Sequence, residues 1–331
     1  MDKDTDKIPE LSEATAKIIA DYRENEIERP TAAHVQTWLA QFDEASREPL
    51  LTELNHVLAK TYIPKKNVEA FLAMLVKAPN LTGGDPKAFW SKARFLDIQS
   101  GGSSQHDLLS MFDVPLKAET GYVVAECGKN NPSCYVYLDD GLFTGNTILK
   151  SLRTWLKDAP AETQVHVIVI ALHRGGLYYA KTNLEDAATE AEKKIEFTWW
   201  RIIELEERRI FTDESDVLRP TKIPNDAPTK AYVEALGRKQ VLRTPGNVGK
   251  LKIFSSEEGR DLLEQRLLIK GVHIRDIAPN LPEPQRPLGN TPLKTVGFGS
   301  TIVTFRNCPN NAPLAFWVGD PWYPLFPRKT N

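Results

Sequence analysis

One segment near the middle of the chain constrains the fold more than any other: Tyr135-Val-Tyr-Leu-Asp139-Asp140-Gly-Leu-Phe143-Thr144-Gly145-Asn146-Thr147. Its first four residues are apolar and rich in β-formers, as in a buried parallel strand, and two adjacent carboxylates follow them. Beyond Thr147, apolar residues recur at helical spacing, at Ile148, Leu149, Leu152, Trp155 and Leu156. The segment therefore predicts a strand, a short loop and the N-terminus of a helix.

The predicted loop combines an anion site with acceptors for hydroxyl groups. Free N–H groups and the helix dipole attract an anion, Gly145 allows close approach, and Thr144 and Thr147 offer hydroxyls. Asp139 and Asp140 are acceptors suited to a vicinal diol, so that phosphate and diol together describe a ribose phosphate. The alternative is an ordinary turn in which the two acids only cap the helix. The common register of strand, acids, glycine and helix favours the binding site.

The pattern Asp-Asp-x-x-x-Thr-Gly-x-Thr after an apolar strand resembles the phosphoribosyl-pyrophosphate loop of the type I phosphoribosyltransferases. The resemblance implies that Asp139 and Asp140 are catalytic residues that hold the ribose hydroxyls. It implies substrate binding by the residues around the 5′-phosphate, Phe143, Thr144, Gly145, Asn146 and Thr147. Mg²⁺ is expected as the cofactor, held through substrate phosphates and hydroxyls rather than by protein ligands alone.

Composition excludes several classes of protein. The chain has 331 residues and a net charge of -2, so no global basic excess indicates nucleic acid binding. No apolar run is long enough for a membrane span, and Met1–Glu10 is charged, unlike a signal peptide. Three cysteines without CxxC spacing fit a reducing compartment and argue against a disulfide framework or a zinc site. We therefore expect a cytoplasmic protein.

The hydrophobic pattern predicts two domains. Residues 1–90 have helical periodicity, with Pro49 and Pro64 between the helices, and predict an N-terminal helical module. Residues 91–331 predict a phosphoribosyltransferase-like α/β domain that includes a segment rich in proline and aromatic residues at its end. Alternating strands and helices favour a mainly parallel sheet flanked by helices. The expected strands are 94–99, 121–126, 135–138, 165–172, 195–203 and 296–305.

Two further segments carry expectations about local structure. Glu204–Pro228 is charged and contains prolines, which is typical of a surface excursion. A capping box at Ser255–Glu258 begins a helix that we expect to end at Gly271.

A second loop, Ser100-Gly101-Gly102-Ser103-Ser104, follows the first predicted strand and is the candidate site for the pyrophosphate group. It contains no Lys or Arg, and a Gly/Ser turn is also common without any function. Arg174 can supply the missing positive charge, or it can be a solvated loop residue. His173 is either a general base or substrate contact, or a structural histidine at the end of a strand.

Further motifs extend the resemblance over most of the chain: Trp38-Leu-x-Gln-Phe42, Arg286-Pro-Leu-Gly289, Gly297-Phe-Gly-Ser300, Asn310-Asn-x-Pro-Leu314 and Trp322-Tyr-Pro-Leu-Phe326. Together they resemble the phosphoribosyltransferase-like proteins associated with bacterial conflict systems, in antiphage defence operons. That resemblance implies partners encoded in the same operon, such as an ATPase or a retron reverse transcriptase.

Two functions follow from these expectations. In the first, the protein is an effector that binds phosphoribosyl pyrophosphate or a related ribose phosphate and transfers or cleaves at ribose C1. In the second, it is a catalytically inactive nucleotide-sensing or scaffold subunit that acts through its partners. The missing basic residue in the second loop and the short segment 118–131, where type I enzymes usually carry a cover loop, favour the second.

Overall fold

The computed structural model describes residues 7–99, 101 and 103–329. Within these residues the contacts divide the chain into two compact units. We call Lys66–Leu205 the sheet unit, and the residues up to Lys65 together with those from Glu206 onward the helical unit. The predicted domain boundary at residue 90 follows from the periodicity of the sequence and stays a prediction.

The helices and strands follow one another along the chain in this order: α1 (Ile8–Ile18), α2 (Ala32–Leu39), α3 (Glu44–Thr61), β1 (Tyr62–Ile63), α4 (Lys65–Lys77), α5 (Pro79–Thr82), α6 (Pro86–Lys92), β2 (Ala93–Leu96), α7 (Ser104–Thr120), β3 (Cys134–Leu142), α8 (Asn146–Trp155), β4 (Glu162–His173), α9 (Arg174–Glu190), β5 (Lys194–Leu205), α10 (Ala227–Ala235), α11 (Glu257–Ile277), β6 (Val303–Thr304) and α12 (Leu314–Trp317). None of the described helices is long and apolar enough to cross a membrane.

The sheet unit contains a parallel four-stranded sheet with the order β2-β3-β4-β5. Tyr137 and Val167 lie side by side in it, and their face packs against the apolar sides of α8 and α9 in one buried cluster. This confirms the predicted α/β class with a parallel sheet. The carboxyl ends of all four strands meet at one edge, which is where ligands of such sheets bind.

Strand β3 is longer than predicted. The sequence placed the strand end at Leu138, but the ladder with β4 continues through Asp139↔Val169 and Gly141↔Ala171 to Leu142. The reason lies in the neighbouring strand β4, which is apolar up to its end at His173 and offers backbone hydrogen-bonding groups along the whole length of β3. Both acids therefore belong to the strand rather than to the loop after it.

Two other predicted strands are wrong. Residues 121–126 contain a 3-10 helix at Val124–Glu126, because the N–H of Val124 donates to Asp113 Oδ1, at 2.5 Å, instead of to a strand. In 296–305 only β6 is a strand, and it pairs in parallel with β1. Gly297 and Gly299 have φ of 147° and 85°, which regular strands do not allow.

The helical unit corrects three more expectations. Pro49 lies inside α3 rather than between helices, and α11 continues through Gly271 to Ile277. At Gly271 a Cβ atom would lie 2.6 Å from the carbonyl oxygen of Pro287, so the glycine allows close packing and does not end the helix. The segment Glu204–Pro228, predicted to be a surface excursion, is partly internal, with Glu206 only 2% exposed and Asp216 fully buried.

The motifs that extend the resemblance pack against one another in the helical unit. Trp38 Nε1 donates to the carbonyl oxygen of Ala315 at 2.7 Å, and the rings of Phe42 and Trp322 are 5.9 Å apart. A Cβ at Gly289 would lie 2.0 Å from the carbonyl oxygen of Asn311. These motifs are thus constrained by packing.

Candidate active site

The loop between β3 and α8 is fixed by two glycines. Gly145 is the residue before α8 and has φ of 81°, and a Cβ there would lie 2.4 Å from the carbonyl oxygen of Gly176. At Gly176, in the first turn of α9, a Cβ would lie 1.8 Å from the carbonyl oxygen of Phe143. Backbone meets backbone at both positions, so only glycine fits. Sequence analysis identified Gly145 but missed Gly176, whose role depends on a contact across the fold.

The N-terminus of α8 presents the groups that an anion needs. Leu149 N donates to Gly145 O at 3.0 Å, so the N–H groups of Asn146, Thr147 and Ile148 precede the first bond of the helix. The side chains of Asn146 and Thr147 are exposed, and Thr144 is half-buried. The predicted phosphate-binding residues therefore lie together on one helix terminus.

Asp139 is buried and surrounded by neutral donors. It is 2% exposed, and its Oδ1 accepts from Ser104 Oγ at 2.7 Å and from the N–H of Asp140 at 2.8 Å. Its Oδ2 accepts from Tyr137 OH at 3.3 Å and from Gln99 Nε2 at 3.5 Å. Burial, and then the neighbouring charge of Asp140, raise the pKa of Asp139 to about 7.

Asp140 differs from Asp139 in its surroundings, because its side chain is only half-buried. The two carboxylates predicted to act together therefore lie in different environments. A carboxyl group with a strongly raised pKa beside a more exposed one is a feature of functional sites.

The second loop is only partly described. Ser100 and Gly102 lie outside the described residues, Gly101 is exposed, and Ser103 Oγ donates to Asp107 Oδ2 at 3.0 Å. Ser104, the last residue of this loop, and Gln99, which precedes the loop, both donate hydrogen bonds to Asp139. Gln99 was missed, and no local pattern in the sequence distinguishes it from an ordinary loop residue.

A third polar residue, Gln105, follows Ser104 and was also missed by the sequence analysis. It is fully buried, and its Oε1 accepts from the N–H groups of Ile98 at 2.6 Å and Gln99 at 2.9 Å. The side chain thereby links the residues that follow β2 to the first turn of α7.

His173 and Arg174 lie at the junction of β4 and α9. His173 is fully buried; its Nδ1 donates to the carbonyl oxygen of Leu142 at 3.1 Å, and its ring contacts that of Phe143. Burial lowers the pKa of His173 to about 4, so the imidazole is neutral at pH 7 and supports the loop, as in the structural interpretation. Arg174 Nε forms an ion pair with Glu204 at 2.8 Å. Its role toward a phosphate stays a prediction.

The side chains of the candidate site fit a Mg²⁺ ion that is held mainly by a bound substrate. The described residues contain no group of three or more His, Cys, Asp or Glu side chains that could hold a metal ion. Carboxylate oxygens of Asp139 and Asp140 are of the type Mg²⁺ prefers, and this ion usually keeps water and phosphate oxygens as its other ligands.

A comparison with protein-family models finds a match. The model of the PRTase-CE family matches residues 35–328, which covers most of both units and all the motifs quoted above. No curated protein matches the chain.

Proposed function

The chain belongs to the PRTase-CE family, a phosphoribosyltransferase-type family, and from this premise we propose that it binds phosphoribosyl pyrophosphate or a related ribose phosphate and transfers or cleaves at ribose C1. One observation carries the proposal. Asp139 and Asp140 lie near the carboxyl end of strand β3, a few residues before the N-terminus of α8, whose first N–H groups suit a phosphate. Acceptors for a diol and donors for a phosphate thus occupy adjacent positions in the chain and in the fold.

The chemistry follows from the charges of the residues. The bond between C1 and the pyrophosphate oxygen breaks, pyrophosphate leaves with the electron pair, and an acceptor that loses a proton forms the new bond to C1. Positive charge develops on the ribose ring, and carboxylates close to the ring stabilise it. The α8 terminus holds the 5′-phosphate, which fixes C1 relative to the acids. Mg²⁺, when bound, neutralises part of the charge on the leaving phosphates.

The alternative is a catalytically inactive sensor or scaffold subunit. Two observations favour it: Ser100–Ser104 has no basic residue, and the acceptor positions of Asp139 are already filled by groups of the chain. In either case the protein works in the cytoplasm as part of a bacterial antiphage system, with an ATPase or a reverse transcriptase as its partner.

Calorimetry with phosphoribosyl pyrophosphate and Mg²⁺, with pyrophosphate release followed in the same samples, tests the proposal. We expect Asp140→Asn to weaken binding at least about tenfold, since it removes an acceptor for the ribose hydroxyls. Asp186→Asn, at an exposed position of α9, is the matched control.

Three outcomes separate the functions. Binding with release of pyrophosphate supports the transferase, whereas binding without release, also in the presence of the partner proteins, supports the sensor. No binding at millimolar ligand, or equal affinity of Asp140→Asn and the wild type, overturns the proposal.

A further inference from the structure

The two edges of the parallel sheet differ in length and in covering. At one edge β2 has only four residues, and the chain before β3 binds beside it, where Gly128 N donates to Ser91 O at 3.1 Å and Ser133 N donates to Lys92 O at 3.0 Å. At the other edge β5 has twelve residues, without proline or glycine, and no strand of the described residues pairs with its outer side. A long edge without such interruptions is a template for pairing with another strand.

The backbone of β5 points alternate residues toward β4 and away from it. Lys194 N donates to the carbonyl oxygen of Ala161, directly before β4, at 2.7 Å, so the even-numbered residues of β5 face β4. The carbonyl oxygen of Trp199 points outward, because the exposed Arg201 Nη1 of the same strand donates to it at 3.3 Å. The outward N–H and C=O groups therefore belong to the odd-numbered residues, which are Ile195, Phe197, Trp199, Arg201 and Ile203.

Large apolar side chains along this edge are covered only in part. Ile195, Phe197 and Trp199 pack against the apolar cluster that β3 and β4 share with α8 and α9, yet all three are only half-buried. On the opposite face of β5, Ile202 is 38% exposed and Glu196 is exposed. A neighbouring strand would cover the remaining apolar surface at the same time as it binds the outward backbone groups.

The charges of β5 fit a second copy of the same strand in one antiparallel register. With Trp199 opposite its own counterpart on a two-fold axis, outward backbone groups meet outward backbone groups, and Lys194 lies opposite Glu204 at both ends of the pair. A shift by two residues in one direction places Glu196 opposite Glu204, which repel each other. A shift in the other direction places Lys194 opposite Ile202. Only the first register brings opposite charges together, and it pairs every residue from 194 to 204.

We propose that β5 is the interface of a homodimer, in which it pairs antiparallel with β5 of a second copy, with Trp199 at the two-fold axis. The two four-stranded sheets then join into one sheet of eight strands. Each Lys194 meets Glu204 of the other copy, which already forms an ion pair with Arg201 of its own chain. Phe197 lies opposite Arg201, a pair that can form a cation–π contact. This inference concerns assembly and does not depend on the proposed function.

Sedimentation equilibrium of the full chain over a range of concentrations tests the dimer, which we expect to have twice the mass of the chain and to dissociate on dilution. Two variants at one exposed position test the register. Ile202 lies opposite Glu196 of the other copy, so Ile202→Glu creates two like-charge pairs and Ile202→Lys two opposite-charge pairs. We expect the Kd of the dimer to be at least about tenfold lower for Ile202→Lys than for Ile202→Glu. The same two substitutions at Val114, an exposed apolar residue of α7, should give equal values within about twofold.

A proline at an outward-facing position tests the backbone ladder. The N–H of Arg201 points away from β4, so Arg201→Pro removes no bond between β5 and β4, whereas in the dimer it removes a bond from each of the two symmetric pairs and places a ring in the interface. We expect the Kd of the dimer to rise at least about hundredfold. Arg201→Lys keeps both the N–H and the charge and should change the Kd less than about fivefold. Far-ultraviolet circular dichroism confirms that each variant is folded.

Three results would overturn the inference. A wild-type protein with the mass of one chain at every concentration does so, and leaves the edge of β5 to a strand of another protein. A dimer that a folded Arg201→Pro variant leaves intact places the interface elsewhere. Equal dissociation constants for the two Ile202 variants, or a tighter dimer for Ile202→Glu, exclude the register with Trp199 on the axis. If Arg201→Pro does not fold, the Ile202 variants, at an exposed position, decide between the outcomes.

Discussion

Two buried carboxylates, one in each unit, each accept four hydrogen bonds, but only one of them is compensated by basic side chains. Glu264 in α11 is fully buried and accepts from Arg243 Nε and Nη2, from Arg260 Nε at 2.8 Å and from the backbone N–H of Arg219 at 2.8 Å. Asp139 is equally enclosed, but each of its donors is neutral, and its neighbour in sequence is a second carboxylate.

The difference shows that a buried carboxylate can accept its full number of hydrogen bonds while its negative charge stays uncompensated. Two guanidinium groups compensate the charge of Glu264, and each of them is itself buried, so the three side chains form one structural network. No basic side chain in the described part of the chain forms an ion pair with Asp139. A buried acid whose charge is left uncompensated costs stability, and such a cost is typical of sites kept for function.

The largest expected effect is on Glu264. Glu264→Gln leaves Arg243 and Arg260 buried without their shared counter-charge, so we expect a loss of about 3–5 kcal/mol in the free energy of unfolding. Urea denaturation at pH 7 measures it. Glu257→Gln removes the partly exposed partner of Arg243 and should cost less than about 1 kcal/mol. Equal losses of unfolding free energy in both variants would show that the burial of the glutamate does not decide how much it contributes to stability.

The second prediction is a gain in the free energy of unfolding rather than a loss. Between pH 3.8 and about 7 folded Asp139 keeps a proton that the unfolded chain has lost, so the wild-type protein loses stability as pH rises through this window. Asp139→Asn removes that cost. We expect the stability of the variant relative to the wild type to rise by about 2–3 kcal/mol between pH 5 and pH 8.

Thermal unfolding at the two pH values measures this change. His173, with its pKa lowered to about 4, makes folding less favourable as pH falls below 6.5, but it is common to both proteins and cancels in the comparison. Asp186→Asn, at an exposed aspartate, keeps Asp139 and His173 and should follow the pH dependence of the wild type. A loss of stability in Asp139→Asn at pH 8 would mean that the charge of Asp139 is compensated after all.

This contrast also explains how far the sequence could predict the molecule. The parallel sheet, the α8 helix and the loop between them were predictable because periodicity and turn residues lie within about fifteen residues of each other. Two of the partners of Asp139 lie 35 and 40 positions away, and one partner of Glu264 lies 45 positions away, where no local pattern operates.

Charge misled the prediction in the helical unit. Glu204–Pro228 was assigned to the surface because charged residues are rarely buried without partners. Its partners come from distant segments: Arg260 Nη2 donates to the carbonyl oxygens of Ser215 and Val217, and Asp216 accepts from the N–H groups of Glu206 and Leu251. Composition cannot show such pairings, since they depend on the fold that they stabilise.

The smallest expected effect isolates one neutral donor. Tyr137→Phe removes the hydroxyl that donates to Asp139 Oδ2 at 3.3 Å while the ring stays fully buried. Because this bond favours the ionised carboxylate, its loss should move the pKa of Asp139 above about 7, with a change in unfolding free energy below about 1 kcal/mol. A titration of the carboxyl carbon by NMR measures the shift directly. An unchanged pKa would mean that only burial and the charge of Asp140 determine the ionisation of Asp139. Neutral donors would then be unable to replace the two arginines that compensate Glu264.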